Sequence, residues 1–330
     1  MNRQQTASVL LAAGALVTGA LAAAGPAAAS PADGPAAAPA TSFRQQHDPG
    51  FWTAERMRGA TPLDAPAAAS TRTPVAATGR TTTIAPTTPA APAPGPAGAL
   101  APTAFPQAGG AWTGGGAVVK TSGRVFFTMG DRTASCSGDS ITSANGSTVV
   151  TAGHCVKYQG AWHTNWVFVP AYANGQAPYG QWSATKTLAT DQWAASEDMN
   201  HDVGLAVVAP LNGRKLAEVV GAQGIRFNGG YNKRMYSFGF PAAAPYDGTK
   251  LVYCSGNSSK DFLLTKDHGL GCDMTGGSSG GPWFQDFDEA TGLGTQVSVN
   301  SFGYNFLPNR MFGPYFGDEA KAAYDKAQTP

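Results

Sequence analysis

The sequence predicts an all-β domain that follows a long N-terminal segment of different composition. From about Gln107 to Pro330, short runs of β-branched and aromatic residues alternate with Gly, Asn, Asp and Ser, which is typical of strands joined by tight turns. Before residue 110 the chain holds 15 of its 24 prolines, so this part of the chain is a different kind of segment. The organisation therefore predicts one globular region behind a proline-rich leader.

The N-terminus has the pattern of a secretory signal. Arg3 is followed by an apolar stretch from Val9 to about Ala24 and then by the small residues Ala27-Ala28-Ala29-Ser30. This order predicts a signal peptide over residues 1–29. A membrane anchor is the alternative, but the stretch is diluted by Ala and Gly, and no later stretch is long and apolar enough to cross a bilayer. We expect a secreted, extracellular protein without a membrane anchor.

Residues 30–108 are rich in Ala, Pro and Thr, with too few large apolar side chains to offset the entropy lost on folding. We predict a disordered Pro/Ala-rich segment that serves as a pro-segment or linker, with a permanent flexible stalk as the alternative. Within it, the island Phe51–Met57 is predicted to form a helical turn that docks on the domain behind it. That domain is predicted to span residues 109–330.

The stretch from Gln107 onward is long enough to bury a core. Its one clear helix is Asp318–Ala327, for which Asp318 is a candidate N-cap. Candidate strands include Ala117–Lys120, Arg124–Thr128, Thr148–Thr151, Trp166–Val169, Gly204–Val208, Met235–Phe238 and Thr295–Ser301.

Charge and cysteine content narrow the function classes. The chain carries 22 Lys+Arg against 21 Asp+Glu, which leaves no basic excess for nucleic acid. Four cysteines predict two disulfides, and proximity favours Cys136–Cys155 and Cys254–Cys272 among the possible pairings. No zinc-type spacing appears, and the acidic turn Asp286–Glu289 is interpreted as a solvated hairpin tip rather than a calcium site. We expect no metal and no other cofactor.

Three short segments contain residues suited to nucleophilic catalysis. Val149–Cys155 is a strand that leads into His154, which is either a base or a packed histidine. Asp202 stands just before the apolar strand Gly204–Val208, where aspartate is also common as a turn residue. Gly276–Pro282 is a glycine-rich turn around Ser279, with a linker loop as the alternative. Glycines beside a serine let its Oγ project while two amide N–H groups face the place where an oxyanion forms.

The order His154, Asp202, Ser279 along the chain discriminates between classes of serine enzymes. An α/β-hydrolase needs a histidine after the serine, but the last histidine is His268. A subtilisin-like order, with an aspartate before His154, needs an α/β domain that this pattern does not support. The order His, Asp, Ser in an all-β chain is that of the chymotrypsin type.

Two of these segments carry a family resemblance. Thr151-Ala152-Gly153-His154-Cys155 resembles the signature T-A-A-H-C, and Gly277–Pro282 resembles G-D-S-G-G-P. Over residues 107–330 the chain resembles a secreted bacterial serine endopeptidase of the trypsin/chymotrypsin fold, nearest the glutamyl endopeptidases. This resemblance implies two six-stranded antiparallel β-barrels, about 109–215 and 216–330, with a C-terminal helix and the catalytic groups in the cleft between the barrels.

The resemblance also implies a role for each residue. Ser279 would be the nucleophile, His154 the general base and Asp202 the orienting carboxylate, with Asp198 as the runner-up. The N–H groups of Gly277 and Ser279 would form the oxyanion hole. The predicted disulfide between Cys136 and Cys155 matches the family bridge beside the catalytic histidine.

Other positions bear on activation and specificity. Ser278 replaces the family aspartate, so the ion pair that activates animal zymogens cannot form. Asp273, six residues before Ser279, stands where trypsin-type enzymes bind Lys or Arg, with loop capping as the alternative. Ser301-Phe302-Gly303 resembles the S-W-G strand that pairs with substrate. Asn300 stands where the glutamyl branch would have a histidine, which counts against cleavage after Glu.

We therefore expect a monomer that acts on a protein or peptide substrate and binds no nucleic acid. The alternative is a catalytically silent relative that binds peptide or cell-wall material through the same cleft. Esterase action by the same site is a lesser variant.

Overall fold

The strands of this protein follow most of the β-branched and aromatic runs of the sequence. The computed structural model describes residues 41–46, 48, 50–63, 79–88 and 104–329, and all of them belong to one compact unit. The predicted signal peptide and much of the predicted pro-segment lie outside the described residues. In chain order the strands are β1 Ser42–Arg44, β2 Thr61–Pro62, β3 Thr82–Ile84, β4 Gln107–Ala111, β5 Ser122–Met129, β6 Arg132–Ile141, β7 Thr148–Thr151, β8 Lys157–Tyr158, β9 Ala161–Trp162, β10 Thr164–Pro170, β11 Trp182–Ala189, β12 Gly204–Val208, β13 Gly224–Phe227, β14 Arg234–Gly239, β15 Val252–Asn257, β16 Ser259–Lys260, β17 His268–Gly271, β18 Pro282–Asp288, β19 Leu293–Val299, β20 Phe302–Tyr304 and β21 Leu307–Gly313.

The helices are short, except at the C-terminus. They are α1 Ala54–Gly59, α2 Val118–Thr121, α3 Asp191–Ser196, α4 Leu216–Val220 and α5 Asp318–Gln328, with single 3-10 turns at Gly153–Cys155 and Met199–His201. The predicted C-terminal helix is confirmed, but its N-cap is Gly317, and the Asp318 carboxylate accepts a hydrogen bond from Asn228 Nδ2 at 2.7 Å instead. The strand predicted at Ala117–Lys120 is wrong, because Val118 is buried in α2 and the backbone closes local turns onto Ala117.

The first half of the domain is a closed barrel. Its six strands pair in the order β11-β10-β5-β6-β7-β12, and β11 also pairs with β12, which closes the sheet. All of these pairs are antiparallel. The barrel interior is filled by a hydrophobic cluster that includes Val125, Phe127, Val149, Trp166 and Leu205. The six-stranded antiparallel barrel predicted for this half is confirmed.

The second half is built from two sheets. A seven-stranded sheet has the order β3-β13-β19-β18-β14-β15-β4, and a four-stranded sheet has the order β16-β17-β21-β20. The pair β13–β19 is parallel, whereas the other pairs of these sheets are antiparallel. A separate cluster around Met235, Cys254, Leu270, Trp283 and Met311 fills this half. The two disulfides form as predicted, Cys136–Cys155 in the first half and Cys254–Cys272 in the second.

Part of the Pro/Ala-rich segment has regular structure. Strand β1 pairs with β11, β2 adds in parallel to β6, and β3 pairs with β13. Helix α1 overlaps the predicted helical turn at Phe51–Met57 and continues to Gly59. Its N-cap is Thr53, whose side chain accepts a hydrogen bond from the Arg56 N–H. Composition alone predicts disorder over 30–108, but a few large side chains such as Trp52 and Met57 are buried on the barrel and order the backbone around them. The predicted start of the domain at 109 falls inside β4.

Strand β6 carries a buried carboxyl, Asp139, whose ionisation opposes folding. Asp139 is fully buried, and its Oδ1 accepts from Ser122 Oγ at 2.9 Å. Burial raises its pKa to about 7. Between the ordinary aspartate pKa and this value the folded state holds a proton that the unfolded state has lost, so stability falls as pH rises through that window.

We therefore expect Asp139→Asn to stabilise the fold at pH 8, by at most about 4 kcal/mol, and to have little effect at pH 4. Thermal unfolding of both proteins at the two pH values measures the difference. A difference between the two proteins that does not change with pH would contradict this account of Asp139.

Candidate active site

His154 is held at the end of a buried strand. Strand β7 ends at Thr151, and the 3-10 turn Gly153–Cys155 follows directly, with Cys155 bonded to Cys136 of β6. The His154 side chain is fully buried, and its Nδ1 lies 2.7 Å from Asp202 Oδ2. The His154 backbone N–H donates to the other carboxylate oxygen, Oδ1, at 2.8 Å. The aspartate therefore fixes both the position of the turn and the orientation of the ring.

Asp202 is itself fixed by three donors. It follows the 3-10 turn Met199–His201 and precedes β12, and it is fully buried. Besides the two His154 contacts, Ser301 Oγ donates to Asp202 Oδ2 at 2.5 Å. The carboxylate is the acceptor on this side of the ring, which favours the tautomer of His154 with its proton on Nδ1. The Nε2 atom is then the proton acceptor of the ring.

Asp198, the alternative orienting carboxylate, lies elsewhere. It caps the 3-10 turn by accepting from the Asn200 N–H at 3.1 Å, and its Oδ2 is 3.6 Å from His201 Nδ1. Asp202, not Asp198, thus contacts the His154 ring in this structure.

The glycine-rich turn lies against the strands that carry His154. Ser137 of β6 donates its N–H to Ser279 O at 2.7 Å and its Oγ to Gly277 O at 2.9 Å. Gly280 has φ +79°, and a Cβ there would lie 2.5 Å from Ser137 O, 2.8 Å from Ala152 N and closer still to Thr151 Oγ1. The backbone around Ser279 therefore touches the end of β7. Among the described residues, the buried Nε2 of His154 has no hydrogen-bond partner.

Asn300 supports this turn from the opposite side. Its Oδ1 accepts from Ser237 Oγ and from Trp283 Nε1, both at 2.7 Å, and its Nδ2 donates to Phe238 O at 2.9 Å and Ser278 O at 3.1 Å. The Gly280 N–H also donates to the backbone O of Asn300 at 2.8 Å. From the sequence, Asn300 is predicted only as a departure at the pocket edge. Its positioning role depends on long-range contacts that no local pattern signals.

His163 is a second supporting residue, and no sequence motif signals it. Its ring stacks on Phe127 with centroids 4.4 Å apart, and its Nε2 lies 2.9 Å from the His154 backbone O. Burial lowers the pKa of His163 to about 4, so the ring is neutral at physiological pH and its Nε2–H donates to that carbonyl. The backbone of His154 is thus held from both sides.

A cavity of about 380 Å³ opens beside Ser279. Its walls are Cys272–Gly276, Ser278, Ser279, Gly303–Asn305 and Leu307–Met311. Asp273 lines this cavity, but its Oδ1 accepts from Tyr246 Oη at 2.7 Å and its N–H donates to Ala108 O. A basic side chain that reached Asp273 would share the carboxylate with Tyr246. A larger cavity of about 520 Å³ beside Arg226 and Asp286 includes none of the predicted site residues.

The predicted substrate strand lies at a sheet edge. Strand β20 contains Phe302 and Gly303 and ends the four-stranded order β16-β17-β21-β20, so its outer side faces the place where an extended peptide could add. The Ser301 side chain is directed to Asp202 rather than to this edge. The fold and the buried His–Asp pair together are those of the trypsin/chymotrypsin class of proteins.

Comparison with solved structures supports this class. The protease Anisep from Arthrobacter nicotinovorans is 46% identical, and the match covers 64% of this chain and 97% of that one with a TM-score of 0.61. The thermostable serine protease AL20 from an extremophilic microorganism is 40% identical, with 64% and 98% of the two chains covered and a TM-score of 0.61. A Glu endopeptidase is 16% identical over 67% of this chain and 96% of that one, with a TM-score of 0.53, which shows the fold alone. The chain belongs to the bacterial serine proteases of the trypsin/chymotrypsin fold.

Comparisons at the level of sequence are sparser. No family model matches the chain. The extracellular metalloprotease of Bacillus subtilis (strain 168) is 27% identical over 182 residues, which are 53% of this chain and 54% of that protein. The chain thus spans about half the length of this curated relative.

The name of that relative raises the question of a metal ion. Within the described part of the chain, one group of three candidate ligands comes together, Cys136, His154 and Cys155. Both sulfurs are joined in a disulfide and provide no thiolate, and His154 Nδ1 is bound to Asp202. These residues do not fit a metal centre. In the acidic turn, Asp286 pairs with Arg226 at 2.7 Å and Asp288 accepts from the Ala290 N–H.

Helices long and apolar enough to span a membrane do not occur among the described residues.

Proposed function

We propose that the protein is a secreted serine endopeptidase in which Ser279 is the nucleophile, His154 the general base and Asp202 the orienting carboxylate. The observation that carries this proposal is the buried His154 ring, which Asp202 binds at Nδ1 while Nε2 has no partner among the described residues. Such a ring is ready to accept a proton at Nε2. The Ser279 turn, bound to Ser137 next to the Cys136–Cys155 disulfide, supports the same assignment.

The chemistry follows from these groups. Ser279 Oγ attacks the carbonyl carbon of the substrate peptide, and its proton moves to His154 Nε2. The tetrahedral intermediate places its oxyanion at the N–H groups of Gly277 and Ser279. His154 then returns the proton to the leaving amine, and the C–N bond breaks to leave an acyl-enzyme on Ser279. A water molecule, deprotonated by His154, repeats the attack and releases the carboxylic acid product.

Secretion and latency belong to the same proposal. Residues 1–29 act as the signal peptide, and two disulfides fit an extracellular compartment. Residues 30–108 act as a pro-segment, so the secreted chain begins as a zymogen. The enzyme acts as a monomer on peptide substrates that add to β20, and Asp273 is the candidate partner for a basic side chain in the adjacent cavity.

Exhaustive labelling with a fluorophosphonate probe, followed by peptide mapping, tests the catalytic assignment. We expect one adduct, on Ser279, which is absent in His154→Ala because the base that activates the serine is lost. Ser278→Ala is the matched control, since the Ser278 hydroxyl donates to Thr275 O at 2.7 Å and should be dispensable for labelling. A folded protein without an adduct on Ser279 would favour the silent binding module over the enzyme.

A further inference from the structure

Residues 61–63 occupy the cleft side of the first barrel. Strand β2 adds in parallel to β6, with Thr61 opposite Ala134 and Pro62 opposite Ser135. The next residue continues this pairing, because the Leu63 N–H donates to Ser135 O at 2.9 Å. Leu63 O then accepts from the Gly277 N–H at 3.1 Å. The strand therefore ends on one of the two N–H groups assigned to the oxyanion hole.

The strand is anchored by the helix that precedes it. Met57 is 1% exposed and Trp52 is 7% exposed, so both are almost fully covered. With Ala60 they form a cluster with Phe126, Val167, Val169, Tyr172 and Phe240. Trp52 Nε1 also donates to Asn165 O at 2.6 Å. Docking of this segment is thus supported by buried side chains as well as by backbone pairing.

The cluster around α1 and the glycine-rich turn both contact Phe240. Phe240 belongs to the α1 cluster, and a Cβ added to Gly277 would lie 3.1 Å from Phe240 O. The Leu63 side chain is partly buried and packs against the barrel core. Phe240 thus adjoins both α1 and Gly277, and Leu63 is held by its own packing against the barrel core.

A single N–H group cannot serve two acceptors at full strength. An oxyanion needs a donor at 2.7–3.1 Å, and loss of one such donor costs about 10²- to 10³-fold in rate. While Leu63 O accepts from Gly277, that donor is not available to a tetrahedral intermediate. The same segment covers the edge of β6 at Ala134–Ser135, so a substrate chain cannot pair there.

We propose that residues 61–63 are an intramolecular inhibitory strand, whose binding site is the β6 edge and the Gly277 amide, and that full activity requires the strand to leave this site. The inference rests on the proposed function, because it takes Gly277 as an oxyanion donor and Ser279 as the nucleophile. The occupant is a segment of this chain, bound mainly through backbone groups.

The test compares labelling rates of Ser279 in uncut full-length chains, verified by intact mass. Leu63→Pro removes the N–H that donates to Ser135 O and weakens the strand. We expect it to react with the fluorophosphonate about 100-fold faster than the wild-type chain. Leu63→Asp, which places a charge at a partly buried position, is the second variant if the proline variant shows a lowered melting temperature. Phe43→Pro is the control. It disrupts β1, a strand of the same leader that pairs with β11 and not with β6, so this variant is expected to react at the wild-type rate.

The outcomes separate the two proposals. Equal rates in all the chains, with Ser279 labelled throughout, would overturn the inhibitory strand and leave the proposed function intact. Equal acceleration by Phe43→Pro would overturn the assignment to residues 61–63. No labelling of Ser279 in any folded variant would overturn the proposed function and the inference with it.

Discussion

Asp202→Asn is expected to lower kcat about 10⁴-fold, the size of this effect in trypsin-type enzymes, while the fold is retained. The physical reason is the tautomer of His154. The His154 backbone N–H needs an acceptor at one side of residue 202, so the asparagine must present its Oδ1 there and its NH₂ group to His154 Nδ1. The ring then accepts at Nδ1 and carries its proton on Nε2, where it can no longer take the proton of Ser279.

Asp198→Asn is the matched control for this substitution. Both aspartates are buried and stand four residues apart, but Asp198 contacts the local turn and His201 rather than His154. We expect kcat of Asp198→Asn to stay within about 10-fold of the wild type. Steady-state hydrolysis of a peptide substrate by both variants measures the ranking, and the reverse ranking would show that the orienting carboxylate is misassigned.

Gly280→Ala is expected to lower kcat on the order of 10³-fold through misplacement of the nucleophile. A Cβ at this position would overlap the side-chain atom Thr151 Oγ1 of β7 and come within 2.5 Å of the backbone atom Ser137 O of β6. The φ of +79° adds strain for any side chain. The turn must therefore move away from β7. A shift of about 1 Å at a reacting atom lowers the rate about 10²-fold by itself. The Ser279 N–H, an assigned oxyanion donor, moves as well and lowers the rate further.

Gly213→Ala separates this effect from backbone strain. Gly213 has φ +76°, nearly the same as Gly280, but a Cβ there would meet nothing within 4 Å. We expect both variants to lose some stability from the positive φ and only Gly280→Ala to lose activity. Melting temperature and the rate of Ser279 labelling, measured on both proteins, distinguish the two effects. Equal activity losses would mean that strain, not the position of Ser279, is responsible.

Several features of the fold could be predicted because they depend on local patterns. The alternation of β-branched runs and turn residues predicts strands β5, β7, β10 and β12 of the first barrel, and the helix at the C-terminus follows from its composition. Proximity of the cysteines predicts both disulfides. The two valines at 118 and 119 favour a strand in isolation, yet they lie in α2, because packing overrides the weak propensity of a four-residue run.

The candidate site was less accessible to sequence reasoning. The motifs around His154 and Ser279, and the chain order with Asp202, predict which residues belong together. They do not reveal that Ser301 donates to Asp202 or that Asn300 holds Ser278. Each of these hydrogen bonds joins residues far apart in the chain, and their geometry exists only when both halves of the domain have folded.

The sequence by itself determined the family, the all-β class and the two motifs that contain His154 and Ser279, because short motifs and periodic patterns express them directly. Only the tertiary structure decided which aspartate binds His154 and where strands β1, β2 and β3 lie. The composition of the leader predicts disorder, since average composition hides the few side chains that find a buried site. The contact between Leu63 and Gly277 is harder still to predict from sequence. It is made by backbone atoms, which no side-chain pattern records.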